Sequence, residues 1–187
     1  MKFEDAANTL ATWAARGKDV FTLGDLRVLF PGDREAAFSE GLRRLVRSGL
    51  LERAANGVYV YPFGTGDRGG RLERVASAVR RGALNYISLE SALSMFGIIS
   101  QVPIDHLTVM TTGRKGRVQT RWGTIEFTHS ARPIVELVDG TVPTEGPLRL
   151  ARPETALRDL RRVGRNTHLI QEDEVEEIIS EFRSRNP

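Results

Sequence analysis

The sequence predicts an α+β protein in which a small helical domain with a β-hairpin precedes a mixed α/β domain. Three observations lead to this prediction. Apolar residues recur at helical spacing in the N-terminal third, short segments then flank an Asn-Gly turn, and a glycine-rich break separates this region from the rest.

Two helices are predicted before the first proline. One covers residues 1–16 and has an apolar face. Thr22 is a favourable N-cap for the other, because its side chain can accept a hydrogen bond from the first turn. This second helix covers residues 23–29 and is ended by Pro31-Gly32.

A third helix and a hairpin complete the first domain. The helix is predicted from an apolar stripe with the spacing i, i+4, i+7 and i+8. The stripe consists of Phe38, Leu42, Leu45 and Val46. Gly49 follows the last turn, where a left-handed cap is expected. Asn56-Gly57 supplies the positive φ angles that a tight hairpin turn requires. Helices and hairpin in this order predict an N-terminal winged helix-turn-helix over residues 1–65.

The second half is predicted to be a mixed α/β domain over residues 71–187. Residues 66–70 are interpreted as a linker, because glycine is concentrated around them. Ser88 is expected to cap a helix that begins at Leu89. The other predicted helices cover residues 71–81, 153–163 and 172–183, and the predicted strands cover residues 107–111, 118–121, 124–128 and 148–150.

Composition excludes several classes of protein. The chain has 187 residues, 40% hydrophobic and 27% charged, which is ordinary for a soluble protein. It contains no cysteine, so disulfides, thiolate metal sites and cysteine nucleophiles are excluded. The charged beginning predicts no signal peptide, and no apolar stretch approaches the length of a membrane span. We therefore expect a cytoplasmic protein with no membrane partner.

The third helix carries the residues that we predict to contact double-stranded DNA. Arginines on such a helix reach phosphates or bind guanine through two hydrogen bonds. The predicted DNA-binding residues are Arg34, Glu40, Arg43, Arg44 and Arg47, together with Arg53 and Asn56 on the hairpin. Arg34, in the first turn, is the expected base reader. Glu40 either accepts a hydrogen bond from cytosine N4 or pairs with Arg43 or Arg44. The alternative is a solvated face or a surface for protein interaction.

Basic residues are also concentrated beyond the hairpin, although the net charge is only +3. Residues 67–81 hold five arginines against two acids, and residues 110–121 hold four basic residues and no acid. These blocks predict a basic surface on the second domain, formed by Arg68, Arg71, Arg74, Arg80, Arg81, Arg114, Lys115 and Arg117. Such a surface extends a DNA footprint or contacts another acidic or nucleic-acid partner.

No catalytic, metal or cofactor site is predicted. The three histidines, His106, His129 and His168, lie far apart and have no metal-ligand spacing. The glycine-rich residues 64–70 lack the Lys-Ser/Thr pair of a phosphate-binding loop. The sequence therefore favours a binding protein over an enzyme.

Four segments of the second half, in their order along the chain, resemble the AbiEi family of antitoxins from type IV toxin–antitoxin systems, which are linked to abortive infection by phage. The segments are residues 86–97, with a Tyr-x-Ser-x-x-Ser-Ala-Leu pattern, residues 108–112, residues 123–127, and residues 151–160, with a Pro-Glu-x-Ala-Leu-x-Asp pattern. The resemblance extends from about Phe21 to Leu160 and includes the order of a winged helix followed by an α/β domain.

The resemblance implies an antitoxin that is also an autoregulatory repressor. It implies binding to inverted repeats upstream of the protein's own operon, and a neighbouring gene for a nucleotidyltransferase-like toxin. Two copies, either monomers or a dimer, are expected on the DNA, because one helix reads only a few base pairs. Two alternatives remain open, namely direct sequestration of the toxin by the α/β domain and enzymatic modification of the toxin.

Overall fold

The structure is a computed structural model that describes residues 2–64, 70–100 and 105–185. Contacts divide the chain into two compact units. One contains Met1–Val79 with Gln119–Arg121, and the other contains Arg80–Val118 with Trp122–Pro187. Helices and mixed sheet are both present, as the predicted α+β class requires.

The first unit begins with three helices and a three-stranded antiparallel sheet. The helices are α1 (Phe3–Ala15), α2 (Leu23–Leu29) and α3 (Glu35–Arg47), and the strands are β1 (Val20–Thr22), β2 (Glu52–Ala55) and β3 (Val58–Val60). β3 lies between β1 and β2 and is antiparallel to both. All three predicted helices and the hairpin are therefore present. The short strand β1 was not predicted.

Local sequence explains where these elements begin and turn. Thr22 and Asp25 form a reciprocal capping box, in which the Asp25 amide donates to Thr22 Oγ1 at 3.1 Å and the Thr22 amide donates to Asp25 Oδ2 at 2.8 Å. Gly49 follows α3 with a φ of 76°, and Gly57 turns the hairpin with a φ of 70°. The predicted Thr22 cap, the left-handed conformation of Gly49 and the hairpin at Asn56-Gly57 are confirmed, but of the two turn residues only Gly57 has a positive φ.

The core of this unit lies between the helices and the sheet. It is formed by the apolar faces of α1, α2 and α3 together with residues from the strands, including Leu10, Phe21, Leu26, Phe38, Leu45, Leu51 and Tyr59. Burying one such side chain contributes about 1.5–3 kcal/mol. The core fixes the orientation of α3, because Phe38, Leu42 and Leu45 are buried on one face of that helix.

Helix α4 (Arg71–Val79) packs against β1 and β3 of the first unit. It ends two residues before the predicted end at Arg81. The sequence-based boundary at residues 66–70 precedes α4, whereas the division by contacts follows it. Residues 65–69, most of the predicted linker, lie outside the described residues.

The second unit is built on a six-stranded mixed sheet. Its strands are β4 (Asn85–Ile87), β5 (His106–Thr111), β6 (Gly116–Thr120), β7 (Gly123–His129), β8 (Thr141–Val142) and β9 (Arg149–Ala151), in the order β6-β7-β5-β4-β9-β8. β4 is parallel to β9 and antiparallel to β5, and β5 is parallel to β7. The four predicted strands are present with small shifts of their ends. β4 and the two-residue strand β8 were not among the predicted strands.

Helices α5 (Leu89–Met95) and α7 (Pro153–Val163) pack against each other, and α5 also packs against β5. α7 has the predicted bounds, with proline at its first position. The unit also contains α6 (Ile134–Asp139), which was not predicted, a 3₁₀ turn (Thr167–Leu169) and α8 (Glu172–Arg185). Among the described residues, no helix is both long enough and apolar enough to cross a membrane.

Candidate nucleic-acid interface

The face of α3 opposite the core is exposed and basic. Arg43, Arg44 and Arg47 lie on this face, and the side chains of Arg43 and Arg47 are 71% and 73% exposed. The spacing i, i+1 and i+4 keeps the three guanidiniums on one side of the helix. Ala36 and Ala37, in the first turn, are also exposed and place no bulk in front of the backbone.

Glu40 lies among these arginines and bridges two of them. Its Oε2 accepts a hydrogen bond from Arg43 Nη1 at 3.1 Å, and its Oε1 accepts one from Arg47 Nη2 at 3.2 Å. Of the two pairings predicted for Glu40, the one with Arg43 is therefore present. The bridge to Arg47, seven residues away, was not predicted, although both positions lie on the same face of the helix.

Arg34 lies one residue before α3. It is exposed and occupies the N-cap position, with φ of −63° and ψ of 155°, and its side chain makes no capping hydrogen bond. The prediction of Arg34 in the first turn is therefore wrong by one position. The reason is that the backbone bends at Arg34 itself, so the first helical residue is Glu35. The side chain still projects from the N-terminal end of α3.

The two predicted hairpin residues contact each other. Arg53 Nη2 donates a hydrogen bond to Asn56 Oδ1 at 2.8 Å, and Arg53 Nε donates to the Ala55 carbonyl at 3.4 Å. Both side chains belong to exposed residues. Asn56 precedes the positive-φ residue Gly57, so the turn and the arginine that it holds form one small basic tip.

A groove of about 620 Å³ lies between α2, α3 and the hairpin. Its rim is charged and its floor is apolar. The charged residues are Arg27, Glu35, Arg43, Arg47 and Arg53, and the floor includes Phe38, Leu42, Val46 and Tyr59. The groove thus brings together three of the predicted DNA-binding arginines from two separate elements.

Arg27 on α2 is a basic residue of this groove that was not predicted from the sequence. Its guanidinium lies 4.0 Å from the centroid of the Phe38 ring and pairs with Glu35. A cation over an aromatic face is stabilised by the ring quadrupole, and the stacking also holds the guanidinium plane. No sequence signal identifies this contact, because it depends on how α2 and α3 cross.

Two residues of the predicted second-domain basic surface lie in the first unit instead. Arg71 is 4% exposed, and its Nη2 lies 3.2 Å from Oδ2 of Asp19, which is 2% exposed. Arg74 Nε donates to Asp19 Oδ1 at 2.8 Å. The placement of Arg71 and Arg74 on the second domain is therefore wrong, because a buried carboxylate before β1 binds both guanidiniums. Arg68 lies outside the described residues.

The remaining basic residues of that set lie in the second unit. Arg80 packs with its guanidinium 4.4 Å from the centroid of the Phe127 ring, and its Nε donates to the Arg114 carbonyl at 2.7 Å. Burial lowers the pKa of Arg80, and the nearby charge of Arg114 lowers it further. Arg81, Arg114, Lys115 and Arg117 are exposed. We call Arg80, Arg81, Arg114, Lys115 and Arg117 the second basic patch.

A buried polar network accounts for part of the motif in the second unit. Asp159, which is 1% exposed, accepts hydrogen bonds from Tyr86 Oη at 3.1 Å, Ser88 Oγ at 2.9 Å and Arg132 Nη2 at 2.7 Å. Ser88 occupies the N-cap position of α5, but its side chain makes no capping hydrogen bond. The predicted cap is therefore wrong, because the hydroxyl donates to Asp159 instead. Arg132 was not singled out from the sequence.

Burial dominates the electrostatics of this network. Burial raises the pKa of Asp159 above its ordinary value, although Ser88, Arg132 and Tyr86 oppose the shift. The pKa of Tyr86 is raised by burial and then by the adjacent charge of Asp159. The network joins β4, α7 and the loop before α6, so Tyr86, Ser88 and Asp159 stabilise the architecture of the unit.

The described residues contain no group of three or more histidine, aspartate or glutamate side chains placed to hold a metal ion. His129 Nδ1 lies 2.8 Å from the Gly113 carbonyl, and His106 Nε2 lies 3.6 Å from Glu126 Oε2. Each of these two histidines therefore contacts a different neighbour.

One of the comparisons with known proteins agrees with the AbiEi resemblance. The crystal structure of the RV2827C protein from Mycobacterium tuberculosis is similar over 98% of this chain and 72% of that chain, with a TM-score of 0.63 and 17% sequence identity. At this identity the likeness concerns the fold alone. No match is found among curated proteins. Residues 8–62 match the family model of the AbiEi antitoxin transcriptional regulators. On residues 8–62 this match agrees with the predicted family.

Proposed function

We propose that the protein is an antitoxin that represses transcription of its own operon by binding inverted repeats in the upstream DNA. Its first unit is then a winged helix-turn-helix, with α3 as the recognition helix and the β2–β3 hairpin as the wing. The observation that carries this proposal is the alignment of Arg43, Arg44 and Arg47 on the exposed face of α3, beside Arg53 on the hairpin.

The dimensions of α3 support this assignment. Its 13 residues give a length of about 20 Å at about 1.5 Å per residue. An α-helix fits the major groove of B-form DNA, which is about 12 Å wide. Arg34 and the two exposed alanines lie at the N-terminal end of the helix, which is the end that contacts base edges in this class of domain. Arg43, Arg44 and Arg47 then lie within reach of phosphates.

The number of copies on the DNA follows from the size of one interface. A single recognition helix reads only a few base pairs, so specific repression requires two copies on paired half-sites. We propose that the second basic patch adds phosphate contacts outside the half-site. This part of the proposal is supported by the exposure of Arg81, Arg114, Lys115 and Arg117 in that patch.

The second unit is proposed to counter a nucleotidyltransferase-like toxin encoded beside this gene. This proposal rests on the family of residues 8–62 and on the sequence resemblance of the second half. Co-expression of the two genes in a host that lacks both tests it directly. Restored growth supports antitoxicity, and co-purification at high salt with a fixed stoichiometry distinguishes direct sequestration from indirect antagonism.

The test of repression is a footprint of the purified protein on the DNA upstream of its own gene. We expect protection of two inverted half-sites about one or two helical turns apart, centre to centre. On a scrambled duplex of equal length and base composition, we expect no such pair of protected half-sites. Uniform, sequence-independent protection of both duplexes would contradict the proposal.

A further inference from the structure

Glu40 lies on the exposed arginine face of α3, and its carboxylate is shared by two guanidiniums. The Arg43 and Arg47 contacts use different oxygens of the carboxylate, at 3.1 and 3.2 Å. All three side chains are more than half exposed. Burial therefore does not account for the two ion pairs of Glu40, and its carboxylate lies on the surface that is proposed above to meet the DNA.

We propose that Glu40 is a specificity-determining residue that restrains Arg43 and Arg47 and so suppresses binding to DNA of arbitrary sequence. This inference rests on the proposed function. A free arginine binds any phosphate, whereas a guanidinium that is held by a carboxylate must give up that contact first. The correct half-site offers enough contacts to displace or accommodate the carboxylate. An arbitrary duplex offers phosphates alone.

Electrostatics gives the direction of the effect. A carboxylate inside a DNA interface approaches the negative phosphates and lowers affinity for every sequence. Its two ion pairs also fix the directions of the guanidiniums, and a two-point contact with one particular guanine edge depends on these directions more strongly than a contact with the phosphates that every sequence offers. The second effect raises the ratio of specific to nonspecific affinity, which is the quantity that determines occupancy of one operator in a genome.

The test compares Glu40→Gln with the unchanged protein on two duplexes, the upstream DNA and a scrambled duplex of equal length and composition. For the scrambled duplex we expect Glu40→Gln to bind roughly 2- to 10-fold more tightly, since each exposed ion pair restrains an arginine only modestly. The slope of log affinity against log salt should become steeper by about one to two, at about 0.9 per additional phosphate contact. The preference for the upstream DNA should fall.

Glu177→Gln is the matched control, because Glu177 is an exposed glutamate of the second unit and its replacement makes the same change in net charge. This variant should keep the affinity ratio and the salt slope of the unchanged protein. Thermal unfolding of both variants within a few degrees of the parent shows that folding is intact.

The outcomes separate this inference from the proposed function. If the unchanged protein binds both duplexes alike, sequence-specific repression itself is refuted. If the unchanged protein prefers the upstream DNA and Glu40→Gln keeps the same ratio, only the role of Glu40 is refuted. If Glu40→Gln binds both duplexes more weakly by the same factor, the role of Glu40 is also refuted, because replacing a residue that only stabilises the fold gives that result.

Discussion

Asp19 allows the sharpest test of how the first unit is held together. Its carboxylate is 2% exposed and accepts hydrogen bonds from Arg71 and Arg74, which lie 52 and 55 residues further along the chain. The backbone of Gly64 also passes so close that a Cβ there would lie 3.0 Å from Asp19 Cβ. We expect Asp19→Asn to loosen α4 from β1 and β3.

The magnitude follows from burial. Removing one partner of a buried ion pair typically costs about 3–5 kcal/mol, because the remaining charge stays uncompensated. Arg71, whose side chain is 5% exposed, loses its ion pair with Asp19 inside the core, whereas the Arg74 side chain is 21% exposed and can reach solvent. A loss of about 3 kcal/mol lowers Tm by at least about 12 °C in a unit of this size. We expect Arg71→Met to cost more than Arg74→Met.

Trp13 fluorescence provides the assay, because this side chain packs against the core of the first unit. A Trp122→Phe background removes the other tryptophan, so that the unfolding curve reports the first unit. Glu181→Gln is the control, since it breaks an exposed pair with Arg185 and should cost less than about 1 kcal/mol. An Asp19→Asn midpoint equal to that of the control would refute the reasoning.

Three further outcomes are expected. Thr22→Ala should lower the free energy of unfolding by about 1 kcal/mol through loss of the capping box, and an unchanged urea midpoint would show that the cap is redundant. Gly140→Ala should lower the free energy of unfolding by about 1–3 kcal/mol, because the new Cβ would lie 2.8 Å from Thr155 Oγ1. Gly32→Ala is the control, because a Cβ at that position meets no atom within 4 Å. Equal urea midpoints of the two variants would contradict this prediction. Tyr86 has a pKa raised by burial, so the unfolded chain releases this proton first as pH rises. The free energy of unfolding should then fall above about pH 10, and this fall should be smaller in Tyr86→Phe. An identical pH dependence of the unchanged protein and Tyr86→Phe would refute this role of Tyr86.

Elements with local signals were predictable from the sequence. The Thr22 cap, the Gly49 turn, the Asn56-Gly57 hairpin and the helix that begins at Pro153 each depend on a few neighbouring residues. The short elements β1, β8 and α6 were missed, because segments of two to six residues show too little periodicity to be recognised.

Long-range polar contacts were not predictable from the sequence. Ser88 has the residue type and position of a helix cap, but Asp159, 71 residues away, accepts its hydrogen bond instead. Arg71 has the pattern of a surface arginine, but buried Asp19 binds it. In both cases a buried carboxylate requires partners, and this requirement outweighs the local preference. The sequence does not reveal which carboxylate will be buried.

The candidate interface was only partly predictable from the sequence. The arginines of α3 share one helix, so helical spacing alone places them on one exposed face. The bridge from Glu40 to Arg47 and the stacking of Arg27 on Phe38 depend on side-chain directions and on the crossing of two helices. Those contacts require the folded structure.

The salt dependence of operator binding by Arg43→Ala/Arg44→Ala/Arg47→Ala tests the role of α3 most directly. If all three arginines contact phosphates, the slope of log affinity against log salt should become shallower by up to about 2.7, at about 0.9 per contact. A control with Arg158, Arg183 and Arg185 replaced by alanine makes the same change in net charge and should keep the slope. An unchanged slope and affinity in the α3 variant would contradict the assignment of α3 as the recognition helix.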